Sequence, residues 1–226
     1  MVKVSLEGVW RVFIKQFDLS PLEQEQFALY IRELLAWNEQ INLTAVHDER
    51  ELIQLHCADS LAITKKEDLS TVSALCDVGS GGGFPGIPLS IKYPDKKVYL
   101  LEVSHKKIHF LTRIKELLHL DNVTLVTIDW RTFLRKTDYK IDLFCARASL
   151  DPKELIRMFQ PSCPYRNARL VYWASCGWTP DKKVIPLVAR EHTYFLQTRR
   201  RRLIILASGA QKANAAEVGA SKAKED

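Results

Sequence analysis

The chain has 226 residues, 46% of them hydrophobic and 27% charged, which fits a globular chain and excludes a disordered one; at roughly 100 to 200 residues per domain it also excludes a large multidomain assembly. Lys and Arg number 33 against 27 Asp and Glu, a formal charge of +6. The surplus is uneven: residues 1 to 70 hold 7 basic and 12 acidic side chains, residues 71 to 206 hold 23 and 12, and residues 207 to 226 hold three of each. A positive middle reads either as a solvated basic face or as a surface for a polyanion.

The first residues, Met-Val-Lys-Val-Ser-Leu-Glu, lack the apolar core of a signal peptide, and no apolar run approaches the ~18 to 20 residues needed to span a bilayer. The five cysteines, Cys57, Cys76, Cys145, Cys163 and Cys176, are odd in number and form no C-x-x-C pair. They suggest neither a disulfide framework nor a zinc site, so a soluble, cytoplasmic protein with reduced thiols and no metal is expected.

Residues 1 to about 70 read as a helical extension. Ser20-Pro21-Leu22-Glu23 sets a capping serine before a first-turn proline, and Phe27, Tyr30, Ile31, Leu34 and Leu35 follow at helical spacing. A second helix is expected over Glu49 to Ile63. From residue 71 to 206 short apolar runs alternate with amphipathic segments: Ala74 to Val78, Val98 to Leu101, Val123 to Ile128, Ile141 to Cys145 and Leu170 to Trp173. The intervals suit crossover helices, which predicts an α/β fold with a mostly parallel sheet. Tyr194 to Leu196 and Leu203 to Leu206 lie too close for a crossover, so they should pair as an antiparallel hairpin at the sheet edge, making seven strands. Residues 207 to 226 are poor in large apolar side chains and are expected to be a disordered tail.

The segment Asp77-Val78-Gly79-Ser80-Gly81-Gly82-Gly83-Phe84-Pro85-Gly86 follows the first strand and precedes a helix. Glycines there allow a sharp turn and close approach of a ligand. The second strand ends at Glu102, 23 residues beyond Gly79, where a carboxylate can accept both hydroxyls of an adenosine ribose. A dinucleotide fold would want Gly or Ala at Phe84 and a second nucleotide-binding half. The D-x-G-x-G turn, the acid after the second strand and the terminal hairpin resemble instead the class I S-adenosylmethionine-dependent methyltransferases, with their Rossmann-like fold.

The resemblance extends over most of residues 20 to 206. Trp37-Asn38-Glu39-Gln40-Ile41-Asn42-Leu43-Thr44-Ala45, His56-Cys57-Ala58-Asp59-Ser60-Leu61, the glycine turn through Pro88, Lys107 with Phe110-Leu111, and Ala146-Arg147-Ala148 are similar to the GidB/RsmG family. That family methylates N7 of a guanine in 16S ribosomal RNA. The resemblance implies S-adenosylmethionine as cofactor, S-adenosylhomocysteine as product, and 16S RNA or the small ribosomal subunit as partner of a monomer. It implies that Gly79, Gly81 and Phe84 line the cofactor turn, that Glu102, Val103 and Ser104 meet the ribose, and that Arg147 acts at the mouth shared by cofactor and substrate. Trp130 and Arg131 fall where the family has an alanine-glutamate pair near the adenine; with Arg131 in place of the acid, Asp129 could accept from the exocyclic amine. Asn42 and Thr44 either bond a base edge or tie the helical part to the sheet, and Asp59 and Ser60 either order the pocket floor or satisfy one another. Lys106, Lys107, Arg113, Lys115 and the run Arg199 to Arg202 are candidate RNA contacts.

Guanine N7 offers an in-plane lone pair and no proton, so alignment matters and no general base is required. Two rival readings remain open. One is a pyrimidine-C5 enzyme using Cys145 as nucleophile. The other is a non-catalytic RNA-binding module, prompted by Arg131 and by Leu170 to Ala174, where the family has a glycine-rich turn and a lysine.

Overall fold

The computed structural model describes residues 5–209; most of the expected tail, residues 210–226, lies outside them. Ser5 caps helix α1 (Leu6–Phe17) by accepting the Gly8 N–H. Helix α2 (Pro21–Asn38) opens on a capping box: the Glu23 N–H donates to Ser20 Oγ at 3.3 Å, and the Ser20 N–H donates to Glu23 Oε2 at 2.6 Å. Phe27, Tyr30, Ile31 and Leu34 form its buried stripe.

The helix expected over residues 49 to 63 is a composite. Asp48 caps α3 (Glu49–Glu51), a π-helical segment (Leu52–Cys57) follows, and α4 (Ala58–Leu61) ends in a 3-10 turn (Ala62–Lys65). The Ala58 N–H donates to the Ile53 carbonyl five residues back, which widens the turn beside His56. Such π segments recur at functional sites.

Seven strands form one sheet in the order β3-β2-β1-β4-β5-β7-β6. They are β1 (Ala74–Val78), β2 (Lys97–Leu101), β3 (Val123–Val126), β4 (Leu143–Arg147), β5 (Arg169–Ser175), β6 (Val188–Leu196) and β7 (Arg199–Leu206). The first five are parallel, and β7 runs antiparallel to both β5 and β6. This is the class I methyltransferase order with its reversed terminal hairpin.

Two boundaries differ from expectation with consequences for the site. Strand β4 continues past Cys145 because Ala146 and Arg147 keep register with Tyr172 and Trp173, so Cys145 lies mid-strand and not at the mouth. The hairpin turns at Gln197, at φ 55°, so Arg199 to Arg202 belong to β7 and not to the connection. Strand alternation then separates them. Arg202 faces Glu191, accepting geometry being met at 2.5 and 2.8 Å, while Arg201 reaches Asp59.

Helices α5 (Gly86–Lys92), α6 (His105–Leu117), α7 (Trp130–Lys136) and α8 (Pro152–Leu155) cover the sheet. Leu75 on one face of β1 joins an apolar cluster that also contains Phe13, Phe27, Tyr30 and Leu34, so the N-terminal helices share their core with the sheet. Cys76 and Val78 on the other face join Phe133, Phe144 and Tyr165. Among the described residues no helix is long and apolar enough to cross a membrane, and no group of three or more His, Cys, Asp or Glu side chains is placed to hold a metal ion.

Candidate active site

The turn after β1 is built from backbone geometry that side chains resist. Gly79, Gly81 and Gly83 have φ of 71°, 57° and 96°, the left-handed region that glycine enters without cost. A Cβ on Gly79 would stand 2.6 Å from Ser149 Cβ, so the loop after β4 closes directly over the turn. The Gly79 and Ser80 N–H groups donate to the Leu101 carbonyl at 2.8 and 3.1 Å, binding the turn to the end of β2. Tyr30 supports it from below, its hydroxyl donating to the Gly82 carbonyl at 2.5 Å.

Glu102 is the hub of this region. Its Oε2 accepts the Gly81 N–H at 2.8 Å, and its Oε1 accepts the Val103 and Ser104 N–H groups at 2.9 Å each. The carboxylate is buried yet lines the cleft above the turn. Beneath, Asp77 is fully buried; Oδ2 accepts the Gly86 N–H at 3.0 Å, and Oδ1 has no partner. Burial pushes its carboxyl up to about 7, against the bond from Gly86. A carboxyl raised in the fold binds a proton that the unfolded chain has lost, so its contribution to stability is present at acid pH and disappears as pH rises from about 4 to 7. Relative to the wild type, Asp77→Asn should therefore gain on the order of 4 kcal/mol across that window. Urea unfolding of both proteins at several pH values checks this; a constant difference would contradict it.

The opposite wall is a chain of polar side chains from distant segments. Asp59, 1% exposed, accepts on Oδ2 from Arg147 at 3.0 Å and Arg201 at 3.1 Å, and on Oδ1 from the Tyr194 hydroxyl. Two guanidiniums against one carboxylate leave an excess positive charge beside the cleft. Trp173 Nε1 donates to the Asp59 carbonyl at 2.8 Å. Ser60 does not bond Asp59 but donates to the His56 carbonyl, so the two do not simply satisfy one another. Arg147 Nη2 lies 2.9 Å from His56 Nδ1, which is also 3.1 Å from the Leu55 carbonyl, and His56 Nε2 lies 2.7 Å from Thr44 Oγ1. Burial, then the charge of Arg147, lowers the imidazole to about 4, so it is neutral at physiological pH.

These two walls enclose a cleft of about 600 Å³. Of the residues singled out from sequence, it brings together Gly79, Gly81, Phe84, Glu102, Arg147, Thr44, Asp59, Lys107, Arg199 and Arg201. Asn42, Val103, Ser104 and Lys106 do not line it. Neither do Asp129, Trp130 and Arg131, for local reasons. Asp129 is the N-cap of α7, both its oxygens held by Thr132. The Trp130 indole packs in the core and donates to the Glu154 carbonyl, and Arg131 pairs with Glu154 beside a separate depression. The departure at Arg131 thus falls outside the cleft and loses its weight for a module without cofactor.

Cys145 is fully buried, and burial holds its thiol well above the usual range. A nucleophile must be a thiolate with access to substrate, so the pyrimidine-C5 reading is corrected: Cys145 is a core residue.

Sequence reasoning gave no role to His56, singled out Arg201 only as part of a run of candidate RNA contacts and not as a partner of Asp59, and missed Asn38 as the organiser of the Thr44 loop. Asn38 Oδ1 accepts the Leu43 and Thr44 N–H groups at 2.9 Å, and its Nδ2 donates to the Thr44 carbonyl. An asparagine at the end of the apolar-periodic segment, five and six positions before Leu43 and Thr44, was the available signal.

Comparison with known proteins agrees with this architecture. The family model described as GidB, rRNA small subunit methyltransferase G, matches residues 23–174. Two proteins named ribosomal RNA small subunit methyltransferase G are similar: that of Staphylococcus saprophyticus is 42% identical over 133 residues, 58% of this chain and 55% of its own. That of Bacillus subtilis is 38% identical over 136 residues, 59% and 57%. The match thus spans little more than half the length of these relatives. Among solved structures, a protein from Klebsiella pneumoniae described as a candidate O-methyltransferase has a TM-score of 0.54 at 17% identity, over 88% of this chain and 96% of that one. The human methyltransferase 10 domain containing protein has 0.50 at 16%, over 65% and 77%. At such identity these two speak for the fold alone. With two thirds of its length matched by the family model and the sheet order in agreement, this chain belongs to the GidB family.

Proposed function

We propose that this chain transfers the methyl group of S-adenosylmethionine to N7 of a guanine in the RNA of the small ribosomal subunit. The observation that carries the reading is the single cleft in which the Gly79–Gly82 turn and Glu102 stand opposite Arg147, His56 and Thr44.

The residues present fit the cofactor. The turn leaves room that a Cβ would fill, Glu102 presents a carboxylate where ribose hydroxyls can donate, and Ser149 Oγ, buried at the cleft wall, has no partner. When bound, the cofactor supplies a methyl group on an electrophilic sulfonium. The chain's own part is alignment and exclusion of water. Glu102 and the turn hold one side. Arg147, clamped by Asp59 and stacked at 5.0 Å over the Phe84 ring, holds the other. No residue takes a proton: burial and the charge of Arg147 keep His56 neutral with its pKa lowered to about 4, and both its ring nitrogens are engaged within the protein. That suits an N7 lone pair, which carries none. The excess guanidinium charge, with Lys107 and Arg199 on the rim, favours an RNA strand with its base turned out of the stack.

The test is methyl transfer from labelled S-adenosylmethionine to small subunits and to naked 16S RNA, with the modified nucleoside identified by mass spectrometry. N7-methylguanosine supports the reading; methylation at another atom, or none, overturns it. Cys145→Ser should leave methyl transfer largely intact wherever the protein folds, since the thiol is buried in the core and out of reach of a substrate. A trapped covalent RNA adduct on Cys145 would contradict that.

A further inference from the structure

Past the end of β5 the last hairpin continues as a two-stranded ribbon. Strand β5 ends at Ser175, opposite Arg201 of β7, whereas further along Phe195 still pairs with Arg200 and Leu196 with Arg199 before the chain turns at Gln197. Because β5 runs parallel to β4 and antiparallel to β7, this tip stands at the end of the sheet where β4 brings Arg147 to the cleft. Directly opposite residues share a face and successive ones alternate, so the pairing fixes what each side of the ribbon carries. Tyr194 and Arg201 bond Asp59, and Leu196 and Arg199 beside them line the cleft. Phe195 and Arg200 stand on the other face. The Phe195 ring is 66% exposed on the edge strand β6, a position where a large apolar side chain is ordinarily avoided. Arg199 and Arg200 are exposed, and among the described residues neither enters an ion pair. Residues 193 to 202 include no acid, and Glu191 is held by Arg202. The tip is also fixed in place: the Gln197 side-chain amide donates to Gln54, in the π-helical segment that carries His56.

We propose that this tip is a stacking platform for single-stranded RNA, in which Phe195 covers the face of an unpaired base flanking the one held in the cleft, while Arg199 and Arg200 hold the adjoining phosphates. The inference rests on the proposed function for the identity of the RNA. A base turned out of its stack leaves a neighbour with an uncovered face. An aromatic ring with a guanidinium directly across from it meets the two features a single strand repeats, a base face and a phosphate. A second copy of this chain fits the patch less well, because two such tips would set unpaired arginines against one another.

The experiment measures binding of the full chain to small subunits and to 16S RNA over a series of salt concentrations, with no methyl transfer required. Phe195→Ala is expected to weaken binding roughly 5- to 100-fold with its salt dependence unchanged, because stacking releases no counterion, and Phe195→Trp should restore it. Arg200→Gln should make the slope of log affinity against log salt shallower by roughly 0.7 to 0.9. A short, fully paired RNA duplex, whose bases are already stacked, should bind the wild type and Phe195→Ala alike. Urea unfolding checks that Phe195→Ala is as stable as the wild type, which the exposure of the ring predicts. Unchanged affinity of Phe195→Ala for both substrates overturns the proposal, as does a loss that tryptophan does not restore or one that extends equally to the duplex. A change of oligomeric state in Phe195→Ala with RNA binding intact also overturns it and assigns the patch to a second copy. If the wild type methylates guanine N7 and Phe195→Ala binds normally, only this inference fails. If Phe195 carries RNA binding but no guanine N7 is methylated, the platform stands and the reading of the chemistry fails.

Discussion

Asp59→Ala should lower the unfolding free energy by about 3–5 kcal/mol, the loss typical of removing one partner from a buried ion pair. The carboxylate is 1% exposed and takes donors from Arg147, Arg201 and Tyr194. Its removal leaves two guanidiniums facing each other in a partly dry wall and strands the Tyr194 hydroxyl. The buried Nε of Arg201 already lacks a partner, and the other side-chain acceptor of Arg201 is the Tyr194 hydroxyl, which loses its own acceptor in the same change. The same change frees Arg147 from the His56 and Leu55 contacts it makes, so methyl transfer should be lost even where the protein still folds. Urea titration measures the stability term; a loss under 1 kcal/mol would show that the cluster is not held by its charge.

Glu102→Gln is expected to weaken S-adenosylmethionine binding about 10- to 100-fold while leaving the fold intact. The substitution looks conservative but is not. Glu102 accepts three backbone N–H groups, one on Oε2 and two on Oε1. A glutamine has one oxygen, so its amino group must point either at the Gly81 N–H or at the Val103 and Ser104 N–H groups. Each charge-assisted bond lost is worth roughly 1.5–3 kcal/mol. The turn then loses the tie between Gly81 and the end of β2, and the ribose hydroxyls lose half of their acceptor. Calorimetric titration with S-adenosylmethionine checks it; an unchanged affinity would place the ribose elsewhere.

Much of the local structure was legible because its causes are local. Ser20, Pro21 and Glu23 satisfy the first N–H groups of α2 from within four residues. The glycines of the turn follow a buried strand and take positive φ, and the apolar runs mark the strands to within a few residues. Errors arose where neighbours decided the outcome. Arg199 to Arg202 looked like a connection because four arginines disfavour an edge strand. They lie in β7 because Glu191 and Asp59 pair with two of them. The helix expected over residues 49 to 63 contains a π segment that no pattern in those residues announces. Asp129 could have been read as a helix cap, since Thr132 three residues on supplies the N–H and hydroxyl it accepts.

The sequence by itself determined the fold class, the cofactor-type turn and the acid at the end of β2, for each depends on residues close together in the chain or on the rhythm of strand and helix. Only the tertiary structure decided the other wall. Arg147, Tyr194 and Arg201 meet Asp59 across 88, 135 and 142 residues, and Thr44 meets His56 through a loop that Asn38 shapes. The sheet order places β1 beside β4, β4 beside β5 and β5 beside β7, and burial makes each of these polar groups find a partner. That pairing is written in no local pattern.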